Sequence, residues 1–186
     1  MSGRFPLLMK TTAIVTTAVS VILIVAFNLL PDSRILAAAI TFGTTAYHFV
    51  MRLIVGYIIP QATGYQFDWH KRWFQPRRRE APLYKKLRLK KWKGHLPTYA
   101  PEQFSLESQS AARVIQNMCG AEIVHEFIMV LSFLPLAMIP LFGEPAVFLI
   151  TSLLSALFDG LFVMAQRFNR PRLIRIYEKQ EAKRHE

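Results

Sequence analysis

Four apolar stretches, residues 11–30, 35–59, 119–142 and 146–165, decide what this chain can fold into. Each reaches the roughly 20 residues that a helix needs to cross the hydrocarbon core of a bilayer. Lipid offers the backbone no hydrogen-bond partners, so such a span must satisfy its N–H and C=O groups internally, as a helix does. The expected fold class is therefore all-α, an integral membrane bundle of four transmembrane helices. It is read as one domain over residues 1–186, with a basic, aromatic-rich cytoplasmic segment (60–118) between helices two and three and a cytoplasmic tail (166–186). A signal peptide is the rival reading of the first stretch, but its apolar region should be only about 7–15 residues with a small-residue cleavage site behind it. This stretch is longer and ends in Asn28, Leu29, Leu30 and Pro31, so it reads as a retained span.

The charge distribution orients the bundle. Lys and Arg number 23 against 12 Asp and Glu, a formal charge of +11. That excess suits nucleic acid or an anionic membrane surface, and the apolar stretches decide for the membrane. Residues 60–118 hold 12 of the cations, interleaved with aromatics such as Trp69, Trp73, Tyr84 and Trp92, and the tail from Arg167 holds seven. The two short turns, around Pro31 to Arg34 and Gly143 to Pro145, hold only Arg34. By the positive-inside rule both termini and the middle segment are cytoplasmic. Pro76, Pro82, Pro97 and Pro101 cut the middle segment into short pieces; residues 82–92 suit a short interfacial helix and 105–118 a helix running into the third span. Pro135 and Pro140 should kink or fray the outer half of that span. The single cysteine, Cys119, excludes an intramolecular disulfide framework and reads as a small buried residue.

Ionisable residues inside the spans point to function, because they are costly there and face a bundle interior or a watery cavity. Glu122 and His125 are three apart, so they share a helix face, with Glu126 beside them. At 1.5 Å rise per residue His125 lies about 9 Å inside the third span. His48 and Arg52, four apart on the second span, reach a similar depth from the same side, and Arg52 needs a partner, water or a snorkelling path to the headgroups. Asp159 lies near the end of the fourth span, just before the arginine cluster.

Two of these stretches resemble signatures of a known family. Gln166-Arg167-Phe168-Asn169-Arg170-Pro171-Arg172, after an apolar span, resembles the QRYNRPR stretch of the glycosyl-4,4'-diaponeurosporenoate acyltransferases, which act in carotenoid-glycoside synthesis. Ala121-Glu122-Ile123-Val124-His125 is similar to that family's Ala-Glu-x-x-His at the head of its third hydrophobic block, and Lys91-Trp92-Lys93 with Leu96-Pro97 to its Lys-Trp-Lys segment. Glu80 matches a family Glu about a dozen residues earlier. The resemblance runs in order over residues 75–178, and the tail motif is its most specific part. It implies transfer of a fatty acyl chain onto a sugar hydroxyl of a lipid-linked glycoside.

Acyl transfer to a hydroxyl needs a base and positive charge near the developing oxyanion. His125 supplies the base and Glu122 a carboxylate to hold its tautomer. Arg167, Asn169, Arg170 and Arg172 suit the phosphates of a donor. The resemblance adds Gln166, Glu80, Trp92 and Lys93 to the substrate-binding set, which His48 and Arg52 complete. The expectation is that Arg52, the Glu122–His125 pair and the Asn169 to Arg172 stretch converge at one cytoplasmic rim, with Trp92 and Lys93 folded over it and the acyl chain in a slot between spans. No cofactor and no metal is expected; the donor, an acyl-CoA, acyl carrier protein or phospholipid, is a substrate. The expected partners are membrane lipids, the acyl donor and the lipid-linked glycoside, not nucleic acid. Two other readings stand beside this one: a metal enzyme with Glu122 and His125 plus Glu126 or His48 as ligands, and a non-enzymatic membrane scaffold or transport component.

Overall fold

The computed structural model describes residues 4–64 and 66–184. The expected cytoplasmic placement of the chain ends concerns residues 1–3 and 185–186, which lie outside that description. Among the described residues all regular structure is helical, and four helices are long and apolar enough to cross a membrane. They are α1 (Arg4–Leu29), α2 (Ser33–Thr63), α5 (Ala111–Leu131, continued by short turns to Phe142) and α7 (Pro145–Arg184). Two short helices, α3 (Glu80–Lys86) and α4 (Leu89–Trp92), follow α2, and α6 (Ile139–Phe142) precedes α7. The chain divides into two compact units, residues 4–57 with 127–159, and residues 58–126 with 160–184.

The first unit is a membrane-type packing of small and hydroxylated residues. α1 buries Met9, Ala13, Thr16 and Ser20, spaced four, three and four apart, so they form one stripe. Thr16 and Thr17 bond back to the carbonyls of Thr12 and Ala13, at 2.7 Å each, which satisfies their hydroxyls in an apolar setting. Ser20 donates to the Ala39 carbonyl at 3.3 Å, and a Cβ on Gly43 would come within 3.1 Å of the Ser20 hydroxyl. Small residues thus let α1 and α2 approach closely. Tyr47 donates to the Leu131 carbonyl at 2.8 Å. Leu29, Val130 and Leu141 are each more than 70% exposed, an outward apolar surface that suits hydrocarbon rather than water. α5 stops at Leu131, four residues before Pro135, whose ring clashes with that turn and which lacks an N–H to continue it.

The second unit carries the irregular segment. Phe74, Ile115 and Cys119 form its buried centre, with Phe67, Trp69, Leu173 and Tyr177 packed around them. Gln116 clamps the backbone of Phe67 through both amide atoms, at 2.7 and 2.9 Å. Two expected helices differ in extent. The piece expected over 82–92 is broken at Arg88, whose φ of 52° is left-handed, into α3 and α4. The helix expected from residue 105 begins at Ala111, where the Ser110 hydroxyl accepts from the Arg113 N–H. Ser105 instead closes a turn by accepting from the Glu107 N–H. The tail is the opposite case: α7 runs 40 residues without a break, through Pro171, and carries the whole arginine motif.

Candidate active site

The site grows from one buried carboxylate. Glu122 on α5 is fully buried. Arg167 and Arg170, three apart on α7 and so on one face, each take one of its oxygens. Arg167 reaches Oε1 at 2.5 Å, and Arg170 holds Oε2. Arg167 also donates to Glu80 Oε1 at 2.9 Å and to the carbonyls of Trp73 and Gln75, both at 2.9 Å. Arg170 donates to the Phe74 carbonyl at 2.6 Å, and its guanidinium lies 5.0 Å from the centre of the Phe74 ring.

The arrangement solves two problems at once. Residues 73–75 lie outside helices, so their three consecutive carbonyls need donors. The planar guanidinium forks supply them while pairing with carboxylates. Two cations face two carboxylates, Glu122 and Glu80, so the buried charge is balanced. The cluster therefore staples the segment before α3 to α5 and α7.

His125 is half-buried one turn beyond Glu122, its ring stacked on Phe162 with centroids 4.6 Å apart and planes 9° apart. Glu126 accepts from the Trp73 indole at 3.0 Å. Lys93 donates to the Asn169 side chain, and its ammonium lies 4.9 Å above the Phe168 ring. Burial, and then the charges of Arg172 and Lys90, hold the Lys93 pKa below the usual lysine value. Trp92 donates its indole N–H to the Leu87 carbonyl at 2.9 Å, closing the corner between α3 and α4. Gln166 is half-buried on α7, and Arg172 is exposed.

The structure thus gathers Glu80, Glu122, Arg167 and Arg170 into one cluster and joins Lys93 to Asn169. Where the sequence assigns Glu122 to the His125 ring, the structure gives each of its oxygens to a guanidinium. Arg167 and Arg170, expected to face a donor's phosphates, are buried and hold protein groups. Arg52 and His48 belong to the first unit. There Arg52 pairs with Asp159 at 2.5 Å and with the Ser155 hydroxyl at 2.8 Å, Ser155 shares a hydrogen bond with Ser132, and His48 is buried one turn before Arg52. The sequence leaves Arg52 a partner, water or a snorkelling path, and in the structure it pairs with Asp159. The carbonyls of residues 73–75 carry no signal in their side-chain types and were not legible. Among the described residues, no three of His, Cys, Asp and Glu gather as metal ligands would.

A family model described as glycosyl-4,4'-diaponeurosporenoate acyltransferase (CrtO) matches residues 70–179, more than half of the chain. The match takes in every member of the arginine–carboxylate cluster together with Lys93, His125 and Asn169. No curated protein and no solved structure matches the chain.

Proposed function

The chain belongs to the glycosyl-4,4'-diaponeurosporenoate acyltransferase family, and from that membership we propose that it moves a fatty acyl chain onto a sugar hydroxyl of a membrane-borne glycolipid, with His125 as the base. The observation that carries this reading is the placement of His125. Its ring is held against Phe162, one turn from a carboxylate that two arginines immobilise. A base on so rigid a support is oriented before substrate arrives.

In this mechanism the sugar oxygen bonds to the acyl carbonyl carbon while its proton passes to the His125 imidazole. The tetrahedral intermediate then collapses, the bond to the donor's sulfur or oxygen breaks, and the imidazolium returns the proton to that leaving group. The donor, an acyl-CoA, acyl carrier protein or phospholipid, is consumed as substrate and no cofactor is assigned. Glu122 works at one remove: it anchors Arg167 and Arg170, and through them the segment before α3. Lys93, Asn169, Arg172, Trp92 and Gln166 form the polar rim that meets substrate. Arg52 and His48 are assigned to holding α2 on α7 within the first unit. The 12 cations of residues 60–118 support a cytoplasmic setting for this rim.

Lipid analysis of membranes with and without the protein tests the reading. An acylated glycolipid should appear only with the protein, and its unacylated precursor should accumulate without it. Identical glycolipid profiles in the two membranes would contradict the proposal.

A further inference from the structure

The second unit contains a pocket of about 510 Å³ between α3, α4 and the start of the arginine motif on α7. That is within the range of small-molecule sites, roughly 300–1,000 Å³. Its inner wall is apolar and aromatic: Tyr84, Leu89, Phe168 and Pro171. Tyr84 and Leu89 are buried, and the rings of Tyr84 and Phe168 meet edge to face at 6.0 Å. Around the mouth stand Arg77, Lys85, Arg88, Lys90 and Lys91, all exposed. The only carboxylate in the lining, Glu80, is already paired with Arg167. Five cations therefore face solvent over an apolar floor with no unpaired anion in the wall.

Two features separate this from an ordinary solvated basic face. The cations stand around an open depression whose floor is buried and apolar, at Tyr84 and Leu89. Arg88, moreover, sits at a backbone φ of 52°, where a residue with a Cβ is strained and glycine would not be. An arginine there keeps its charge at the pocket mouth at the cost of that strain.

We propose that this pocket holds the phosphate-bearing end of the acyl donor, with phosphate oxygens on Lys85, Arg88 and Arg77 and the organic part against Tyr84 and Phe168. The inference rests on the acyl-transfer reading and names what its donor must carry: a phosphate beside an apolar or aromatic group. A nucleotide thioester and a phospholipid headgroup both supply that chemistry.

The full chain in neutral detergent provides the test, with binding of coenzyme A and of short-chain phosphatidylglycerol measured by calorimetry. At least one should bind, less tightly as salt rises, and inorganic phosphate should compete. The double variant Lys85→Ala/Arg88→Gly should weaken that binding by tenfold or more, since each substitution removes a charge-assisted contact. Glycine leaves the left-handed backbone unstrained, and both positions are exposed, so the melting midpoint serves as a check on folding. Arg88→Lys keeps the charge and should keep most of the affinity. Coenzyme A binding assigns a soluble thioester donor; binding of phosphatidylglycerol alone assigns a lipid donor. No binding of either, or equal binding by the wild-type protein and the double variant, overturns the proposal. Binding is read without turnover, so His125→Ala should leave it unchanged, and failure of the pocket and failure of the base assignment are told apart.

Discussion

Each unit of this protein buries an arginine against a carboxylate, and the two do it differently. In the first, Arg52 meets Asp159 one to one, backed by the Ser155 hydroxyl, between residues of two regular helices. In the second, Glu122 holds two guanidinia, which in turn hold Glu80 and three consecutive carbonyls of a non-helical stretch. The first pair joins elements that already satisfy their own backbones. The second cluster makes an irregular segment possible, because without it three carbonyls would lose their donors. The irregular segment, not the regular spans, leads into α3 and the pocket wall. In the second unit the costly buried charges accompany irregular backbone, whereas in the first they join regular helices.

Removing Glu122 should have the largest effect. Glu122→Gln leaves buried Arg170 without a carboxylate and Arg167 with Glu80 alone, at a cost of about 3–5 kcal/mol. In detergent the melting midpoint should fall by on the order of 10 °C. A midpoint within a degree or two of the wild type would mean that the cluster does not hold the second unit together. Asp159→Asn should cost less, because Ser155 remains as a partner for Arg52. The comparison is sharpest in the double variants. Arg52→Met/Asp159→Leu should regain most of what the single Asp159 change loses, since a buried pair can be replaced by well-packed apolar groups. Glu122→Leu/Arg170→Met should not recover, since the Phe74 carbonyl loses its donor and Arg167 keeps only half its carboxylate partners. Equal recovery in both units would erase the distinction drawn here.

Much of the regular architecture could be read from the chain. The four apolar stretches lie inside the four membrane-length segments to within a residue, the third continuing past α5 as short turns, because a bilayer leaves the backbone of such stretches one hydrogen-bonding solution. The family could be read too, from the Gln166 to Arg172 motif, since motif recognition needs no tertiary knowledge. Every side chain of the buried cluster was singled out by type or resemblance, but the pairing was not visible. Arg167 contacts Glu122 and Glu80 across 45 and 87 positions, and nothing local encodes such a choice. The spacing of Glu122 and His125 places them on one helix face, but it carries no sign of the two guanidinia on α7 that pair with the Glu122 oxygens. The break at Arg88 was hidden for a different reason. Sequence favours glycine or asparagine in the left-handed region, and an arginine there gives no warning.

Two smaller effects refine the account of the second unit. Lys93→Met removes the contact to Asn169 and should raise the KM for the acyl donor several-fold while leaving kcat near the wild type, the pattern of lost uniform binding. An unchanged KM would remove Lys93 from the rim. Tyr84 gives the smallest signal. Burial first, then the Glu80 carboxylate, pushes its phenol up from 10.0 to about 12. The neutral phenol is thus favoured in the folded state. Its contribution to stability is complete below about pH 10 and is lost as pH rises through about 12. In an alkaline titration followed by ultraviolet absorbance, wild type minus Tyr84→Phe should leave a late-ionising tyrosine. A difference component titrating at the ordinary value would show that Tyr84 is open to water.

The base assignment meets its most direct test in single-turnover ester formation by purified His125→Ala, compared with the wild-type protein at matched melting midpoint, using a glycolipid acceptor and an excess of acyl donor. The account predicts that the variant stays in the membrane fraction, binds donor as the wild type does, and forms ester at least a hundredfold more slowly, the scale expected for loss of a general base. Ester formation by the variant at the wild-type rate would contradict it.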